Sequence, residues 1–438
     1  MKEQINKLAL SSQDELVHLR RDFHRYAETA WTEFRTASIV AKYLEDLGYE
    51  IISGSDVMEG SCMMNLPSEK EMEQHMERAK AQGAHRSYLD EMKGGFTSII
   101  GVLKTGKPGP VIAYRFDMDA NELDESDSET HHPFKEGFAS INPGAMHACG
   151  HDGHTAIGLG VAKLLMQIKD CLCGTIKLCF QAAEEGARGA ERAIVKKGHF
   201  NDVDYIVATH LGFGVSSGKL SCSWEGLLAS TKFDAVFTGT PAHAGARPEE
   251  GKSALLAAAA ATVAVQGIYR HSEGNTRINI GMLHAGTGRN VVPPNAVMKL
   301  ETRGETTELD AFMKSEAIRM IEASAKMYDV AVEIKIMGNT AIAVSDPEMV
   351  AVIKEAAIEL DIFDEVLDSA FQTGGEDYCS MMKAVQAGGG KAGFFLTGTD
   401  FVAGAHTNTF DIDETVLSKG VAVFAMLAHH LGKNKLHR

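Results

Sequence analysis

Residues 155–180 read TAIGLGVAKLLMQIKDCLCGTIKLCF, and this stretch decides the fold class. In its first part the apolar residues Ile157, Val161 and Ile168 fall on one face of a helix, which is typical of a helix with one buried side. The apolar run 175–180 that follows has the length of a buried strand. A helix that leads into such a strand is the repeating unit of a parallel α/β sheet.

Apolar runs on either side of this stretch extend the pattern. Residues 111–114 and 205–208 predict two further strands, so we expect an α/β fold with a mostly parallel central sheet. Farther along, the segments alternate as strand, helix, strand, strand, helix, strand, the βαββαβ order of ferredoxin-like domains. These segments are 231–237, 252–266, 277–283, 297–302, 308–326 and 330–336.

A small domain therefore interrupts a larger one. We expect a catalytic domain whose first part is 1–225 and whose second part is 341–438, with an α+β domain inserted at 226–340. Near the start, Ser12 to Glu15 has the form of a capping box and predicts the beginning of the first helix. Residues 53–93 are rich in Met, Glu, Lys and Gln and predict a surface insertion with a helix at its centre.

Composition excludes several classes of function. The net charge of -16 argues against a nucleic-acid partner, because such proteins need clustered Lys and Arg. The longest mainly apolar run, 254–265, is short of the roughly twenty residues that cross a bilayer, and the N-terminal residues lack the apolar core of a secretory signal. Seven scattered cysteines suit a reducing compartment. We expect a soluble, cytoplasmic protein that contacts no membrane.

The densest group of candidate ligands is 147–154, HACGHDGH, which brings three imidazoles and the Cys149 thiol into eight positions. Divalent metals of intermediate softness, such as zinc, prefer nitrogen and sulfur donors of this kind. The alternative is a polar turn that caps the following helix, with Cys149 as a small buried apolar residue.

Three other places add donors. Glu184 and Glu185 follow a predicted strand directly, His210 comes at the end of the apolar run 205–209, and His406 lies in a glycine-flanked turn. Each has an ordinary alternative, a solvated acidic pair or a hydrogen-bonded structural histidine. Because open α/β sheets collect ligands at the carboxyl ends of their strands, the coincidence favours a metal site. One acid can then bind metal while its neighbour acts as general base.

The motifs together resemble a known family, the dinuclear metallo-amidohydrolases, which include aminoacylases, glutamate carboxypeptidases and plant auxin-conjugate hydrolases. The resemblance covers essentially the whole chain and implies a metallopeptidase-type catalytic domain with an inserted lid or dimerisation domain. The segments that carry it are 20–24 RRDFH, 115–119 RFDMD, 147–154 HACGHDGH, 181–185 QAAEE, 375–377 GED and His406 with Phe410.

The resemblance also assigns roles to single residues. It implies two divalent metal ions per chain, Mn²⁺ or Zn²⁺, and Glu184 as the general base. Asp117 is expected beside the ligands rather than among them. The implied ligands are Cys149, His151, Glu185, His210 and His406.

Three residues of the inserted domain match positions of the family that contact substrate. By resemblance His243 reaches the reaction oxyanion, commonly in the site of a partner subunit, and Asn290 and Arg303 bind the substrate carboxylate. A guanidinium suits that task because it donates two parallel hydrogen bonds. The alternatives are a turn histidine, an asparagine that caps its own loop, and an arginine in a surface ion pair.

The implied function is hydrolysis of a small anionic N-acyl amino acid. We expect p-aminobenzoyl-glutamate as substrate, with indole-acetyl-aspartate as the alternative, and a homodimer or a heteromer with a related B-type subunit. Two rival functions are a non-catalytic subunit of a hetero-oligomer and a metal-independent binding module. Departures from the family pattern at Ala182, Gly375 and Thr407 remove no donor, but they bear on the acyl preference.

Overall fold

The computed structural model describes residues 1–433, and contacts within it group the chain into two compact units. The first unit comprises Met1–Glu225, Ala343–Gln372 and the chain from Tyr378 onward, and the second comprises Gly226–Ile342 with Thr373–Asp377. The pattern of apolar residues did not predict that the short segment Thr373–Asp377 belongs to the second unit. The functional domains 1–225, 226–340 and 341–438 stay a prediction.

Strands within residues 1–433 are numbered along the chain. They are β1 (Glu50–Ile52), β2 (Ile99–Lys104), β3 (Val111–Asp117), β4 (Thr175–Gln181), β5 (Tyr205–Leu211), β6 (Lys219–Ser221), β7 (Trp224–Leu227), β8 (Ala229–Thr238), β9 (Thr276–Ala285), β10 (Asn295–Gly304), β11 (Ala331–Thr340), β12 (Glu365–Leu367), β13 (Ala370–Gly374) and β14 (Lys391–Thr397).

The α-helices of the same residues are numbered in the same way. They are α1 (Lys2–Ser11), α2 (Gln13–Arg25), α3 (Phe34–Leu47), α4 (Glu69–Ala81), α5 (Arg86–Leu89), α6 (His132–Lys135), α7 (His151–Gln167), α8 (Ala190–Lys196), α9 (Ala254–Gln266), α10 (Thr307–Met327), α11 (Pro347–Leu360), α12 (Tyr378–Ala387) and α13 (Leu417–Lys433).

The first unit is built on an eight-stranded mixed sheet in the order β1-β2-β4-β3-β5-β14-β6-β12. At its centre β3 pairs in parallel with β4 and β5, and β14 continues in parallel from β5. Toward one edge β2 and β1 run antiparallel. The predicted α/β class with parallel strands is confirmed, and the antiparallel edge makes the sheet mixed.

Helix α7 lies on the centre of this sheet and carries the donor-rich motif at its start. It contacts β3, β4 and β5, and α2, α3 and α13 pack around it. The close approach depends on Gly158, since a Cβ there would lie 2.6 Å from Phe180 and 2.7 Å from Phe116. This packing therefore fixes how close α7 lies to the sheet, and with it the position of the donor-rich motif at the start of the helix.

The second unit is a four-stranded antiparallel sheet in the order β11-β8-β10-β9 with two helices. Its core joins Phe233 and Phe237 of β8 to Ala258 of α9 and Met313 of α10. The side chains of Ser253 and Thr306 cap these helices by accepting backbone N–H groups. The chain order is the predicted βαββαβ. Its role as lid or dimerisation domain stays a prediction.

Two local predictions need correction. Ser12 caps no helix, because its hydroxyl bonds the Ala9 carbonyl and it joins α1 to α2 in helical conformation. The segment 53–93 is more than a surface insertion, since Met72 and Met76 of its helix α4 are buried. The α4 capping box belongs to Ser68. Of the helices in residues 1–433, none is long and apolar enough to span a bilayer.

Candidate metal centre

His151 is the first residue of α7, and its ring is oriented by the end of β3. Its Nδ1 lies 2.9 Å from the main-chain oxygen of Asp119, so Nδ1 carries the proton and donates. Its buried Nε2 has no hydrogen-bond partner in the described part of the chain and lies 4.0 Å from an oxygen of Glu184. A histidine held in this way presents a lone pair to a cation.

Cys149 and His210 face each other beside this ring. Sγ of Cys149 is 3.6 Å from Nε2 of His210. The other ring nitrogen of His210, Nδ1, lies 2.9 Å from the main-chain oxygen of Leu211. Burial, reinforced by His154, holds the pKa of His210 well below its ordinary value. The His210 ring is therefore neutral near pH 7, which is the form that binds metals.

The adjacent acids Glu184 and Glu185 are oriented through their backbone. The carboxylate of Asp119 accepts both amides, from Glu184 at 3.0 Å and from Glu185 at 2.9 Å. Just before them, Ala183 has a φ of 53°, and its amide donates to Glu33 at 2.8 Å. This turn directs two mostly buried carboxylates toward the same place.

His406 approaches from the loop after β14. It has a φ of 62°, its amide donates to the Ala148 carbonyl at 2.7 Å, and its Nε2 lies 3.4 Å from Oε1 of Glu185. Burial raises the pKa of Glu185, but His406 and His151 outweigh it and bring that pKa down to about 2. Glu185 is therefore an anion at neutral pH.

These donors form overlapping groups in which all ligand atoms lie within 4.8 Å of one another. One group joins Cys149, His151 and His210, and a second joins Cys149, Glu185 and His406. Because Cys149 belongs to both, the two groups adjoin and together would hold two cations. The buried Nε2 of His151 and Oε1 of Glu185 have no hydrogen-bond partner among residues 1–433, and such atoms fit bound cations.

Asp117 and His154 stand near these donors, yet each is committed elsewhere. Nδ1 of His154 lies 2.6 Å from Asp117, and its Nε2 accepts the Leu211 amide at 3.0 Å. Arg115 donates to the other Asp117 oxygen at 2.5 Å. Burial raises the pKa of Asp117, but Arg115 and the two histidines hold it well below its ordinary value. The third imidazole of the motif is therefore structural.

Two organising acids, Asp119 and Glu33, were not predicted from the sequence. Asp119 stands within the motif 115–119, and its carbonyl and carboxylate orient three of the candidate residues. Glu33 is fully buried, accepting the Ala183 amide and the Thr97 hydroxyl. Burial, with the Asp119 charge adding to it, raises the pKa of Glu33 to about 8. Asp119 could have been found from its place just after β3, whereas Glu33, between Thr32 and Phe34, carried no such signal.

The RRDFH motif of residues 20–24 contacts the start of α7 through a buried network of charged side chains. Arg20, fully buried, donates to Asp152 at 2.7 Å, to Asp411 at 2.7 Å and to Glu414 at 3.1 Å. His24 lies 2.8 Å from the same Asp152 oxygen. Asp152 directly follows His151, so the network ties the start of α7 to α2 and to the loop that carries His406.

The other predicted site residues belong to the second unit. His243 and Asn290 are exposed and adjacent, since the amide of Ala244 donates to the Asn290 carbonyl at 3.0 Å. Nδ1 of His243 accepts the amides of Gly245 and Ala246, which leaves Nε2 to carry the proton. Arg303, on β10, donates to both oxygens of Glu301 at 2.9 and 3.1 Å.

The family model described as peptidase family M20/M25/M40 matches residues 113–430. The chain belongs to this family. It is therefore a metallo-amidohydrolase, and the predictions of family and enzyme class are confirmed.

Individual relatives agree over nearly their full length. The chain is 47% identical to the A-type subunit of p-aminobenzoyl-glutamate hydrolase from Escherichia coli strain K12, covering 97% of this chain and 98% of that protein. It is also 47% identical to the indole-3-acetyl-aspartic acid hydrolase of Enterobacter agglomerans, covering 94% and 95%.

Solved structures of relatives share the architecture. An aminobenzoyl-glutamate utilization protein from Klebsiella pneumoniae superimposes with a TM-score of 0.84 at 39% identity, covering 98% of each chain. A dinuclear metal-binding peptidase of the M20 family from Bacillus subtilis gives a TM-score of 0.66 at 25% identity, covering 96% of this chain and 98% of the other. The second structure supports the prediction that the family centre binds metal.

Proposed function

We propose that this amidohydrolase cleaves p-aminobenzoyl-glutamate to p-aminobenzoate and glutamate. The observation that carries the proposal is the convergence of Cys149, His151, Glu185, His210 and His406 in two overlapping groups of potential ligand atoms, with Glu184 beside them. The substrate follows from the high identity to the hydrolase named for it. Indole-3-acetyl-aspartate is the second candidate, because its hydrolase is equally similar.

The five convergent donors would hold two divalent metal ions, Mn²⁺ or Zn²⁺. Thiolate and imidazole suit zinc, and a carboxylate-rich surrounding also admits manganese. Such ions, when bound, supply a water of lowered pKa and polarise the amide carbonyl. Asp117 would act from outside this set, by fixing His154 and thus the end of β5.

Glu184 would be the general base. Its carboxylate oxygen lies 4.0 Å from the unpartnered Nε2 of His151, and its backbone is fixed by Asp119. From there it would take a proton from the attacking water and pass it to the departing amine nitrogen. Transfer of this proton restores Glu184 and releases the amino acid.

Residues of the second unit would complete the site. A proton on Nε2 of His243, as its Nδ1 contacts require, suits donation to the developing oxyanion. Asn290 and Arg303 would bind the α-carboxylate of the amino acid, which requires Arg303 to exchange its bond with Glu301. We propose a homodimer, or a heteromer with a related B-type subunit, since one relative is named as one subunit of its hydrolase.

The free cysteines are compatible with the cytoplasmic location that we propose. The rival functions make different predictions for metal and turnover. A non-catalytic subunit would bind metal without cleaving any amide, and a metal-independent binding module would bind neither ion. The ordered pair Glu184 and Glu185 favours the enzyme over both.

The test is release of p-aminobenzoate from p-aminobenzoyl-glutamate, measured beside indole-3-acetyl-aspartate, by the purified chain with and without added Mn²⁺. Metal-dependent cleavage of the first substrate at the higher kcat/KM supports the proposal. Preference for indole-3-acetyl-aspartate would mean that the acyl group of the substrate is indole-acetyl and not p-aminobenzoyl. If addition of a related B-type subunit is needed, the heteromer is the active form, and absence of turnover in every combination would contradict the proposal.

A further inference from the structure

Arg188 lies at the rim of the metal centre and is not used by the mechanism above. It follows the candidate ligand Glu185 by three residues, in a turn closed by a 2.7 Å bond from the Ala187 amide to the Glu184 carbonyl. Its side chain folds back over this turn, since a Cβ on Gly186 would lie 3.3 Å from Nε of Arg188. The Arg188 side chain therefore lies against the turn that carries the two acids.

The guanidinium forms an ion pair with Glu122. Glu122 follows Asn121, whose side-chain oxygen accepts the Ala148 amide at 3.0 Å, next to Cys149. Both ends of the ion pair are thus attached to residues that surround the metal centre.

The two partners of this ion pair differ in exposure. The Arg188 side chain is 13% exposed, whereas that of Glu122 is 65% exposed. An ion pair with a solvent-facing carboxylate is weak, so another carboxylate can take its place. Arg20 and Arg115, by contrast, are buried among acids of the protein and are not accessible to a ligand.

The insertion 53–93 holds Arg188 in position. The amide of Met64 donates to the main-chain oxygen of Arg188 at 2.9 Å. Gly189 has a φ of 94°, and a Cβ there would lie 2.3 Å from the carbonyl oxygen of Cys62. A loop fixed by contacts as close as these loses little entropy when it binds a ligand.

We propose that Arg188 binds the side-chain carboxylate of the amino acid to be released, in place of Glu122, and so selects N-acyl derivatives of glutamate and aspartate. This inference rests on the proposed function, whose two candidate substrates both release a dicarboxylic amino acid. With a net charge of -16, the protein needs local positive charge to bind a dianion. Arg188 would supply it for the second carboxylate, separately from Arg303.

The test compares p-aminobenzoyl-glutamate with p-aminobenzoyl-glutamine, which has the same shape and lacks the side-chain charge. Arg188→Gln should lower kcat/KM for the glutamate compound by about 10- to 100-fold, mainly through KM, since hydrogen bonds between charged groups are stronger than neutral ones. The same variant should change kcat/KM for the glutamine compound by less than about threefold. Arg188→Lys should recover part of the loss.

Glu122→Gln is the matched control, because it removes the competing carboxylate and leaves Arg188 in place. It should lower KM for the glutamate compound. Equal losses on both compounds in Arg188→Gln, or a wild-type enzyme that does not distinguish them, would overturn the inference.

A panel of benzoyl, acetyl and indole-acetyl derivatives, each as a glutamate and glutamine pair, separates this inference from the proposed function. If only another acyl group is cleaved, the p-aminobenzoyl assignment fails while the paired comparison still tests Arg188. If no amide is cleaved, calorimetry with glutarate and its monoamide replaces turnover. Tighter binding of glutarate that is lost in Arg188→Gln supports the inference, and unchanged binding in that variant contradicts it.

Discussion

His151 donates its Nδ1 proton to the main-chain oxygen of Asp119 over 2.9 Å, which directs Nε2 toward the candidate metal positions. The carboxylate of the same Asp119 accepts the amides of Glu184 and Glu185. One residue just after β3 therefore orients an imidazole and two acids that come from other parts of the chain.

Asp119→Asn should lower kcat by about 10- to 100-fold, the range typical of residues that orient metal ligands. The new amide group would meet a backbone N–H where an acceptor is needed, so one of the two acids would move. Steady-state kinetics with the preferred amide measures the effect. Asp361→Asn, at an exposed helix end, is the control, and kcat at the wild-type level in Asp119→Asn would contradict the assigned role.

Glu184→Gln should keep its metal and lose about 10²- to 10⁴-fold in kcat, because the amide cannot accept the proton of the attacking water. Metal analysis and turnover on the same preparation separate these two effects. Glu73→Gln, on the exposed face of α4, should behave as wild type. If Glu184→Gln turned over substrate normally, another residue would have to be the base.

Cys149→Ser should lower metal occupancy, because the donor shared by both ligand groups changes from a thiolate to a weakly acidic hydroxyl. The variant Cys171→Ser changes an exposed thiol and serves as control. Metal content after dialysis against a weak chelator is the measurement. Full occupancy in Cys149→Ser would exclude Cys149 as the shared ligand.

Arg20→Met should lower the free energy of unfolding by about 3–5 kcal/mol, since it leaves three mostly buried acids without their shared cation. The neighbouring Arg21 is a third exposed and pairs with Glu414 alone, so Arg21→Gln should cost less than about 1 kcal/mol. Denaturant titration of both variants measures the difference. Equal effects would mean that the buried network contributes no more than a surface ion pair.

The fold was predictable where the apolar pattern was regular. Residues 155–168 predicted a helix that proved to be α7, but the structure starts it at His151. The strands were predicted too short at their carboxyl ends, since polar Asp117 and His210 remain within β3 and β5. They stay in the sheet because their side chains find partners from other elements, which local pattern cannot reveal.

The candidate site was predictable as a set of donors and not as an arrangement. Motif spacing brought out Cys149 and the Glu184 and Glu185 pair, whereas the roles of Asp119 and Glu33 depend on long-range backbone hydrogen bonds. Arg188 carried no signal, because its place beside the centre depends on a turn and on the insertion. Such relations exist only after the chain has folded.

The most direct test of the central claim is a titration of the metal-free chain with Mn²⁺. The heat of binding and the hydrolysis of the amide are both measured in the same sample. The two candidate ligand groups that share Cys149 predict binding of about two equivalents and hydrolysis that depends on both. Full hydrolysis in the metal-free chain, or saturation of both signals at a single equivalent, would contradict a two-metal amidohydrolase.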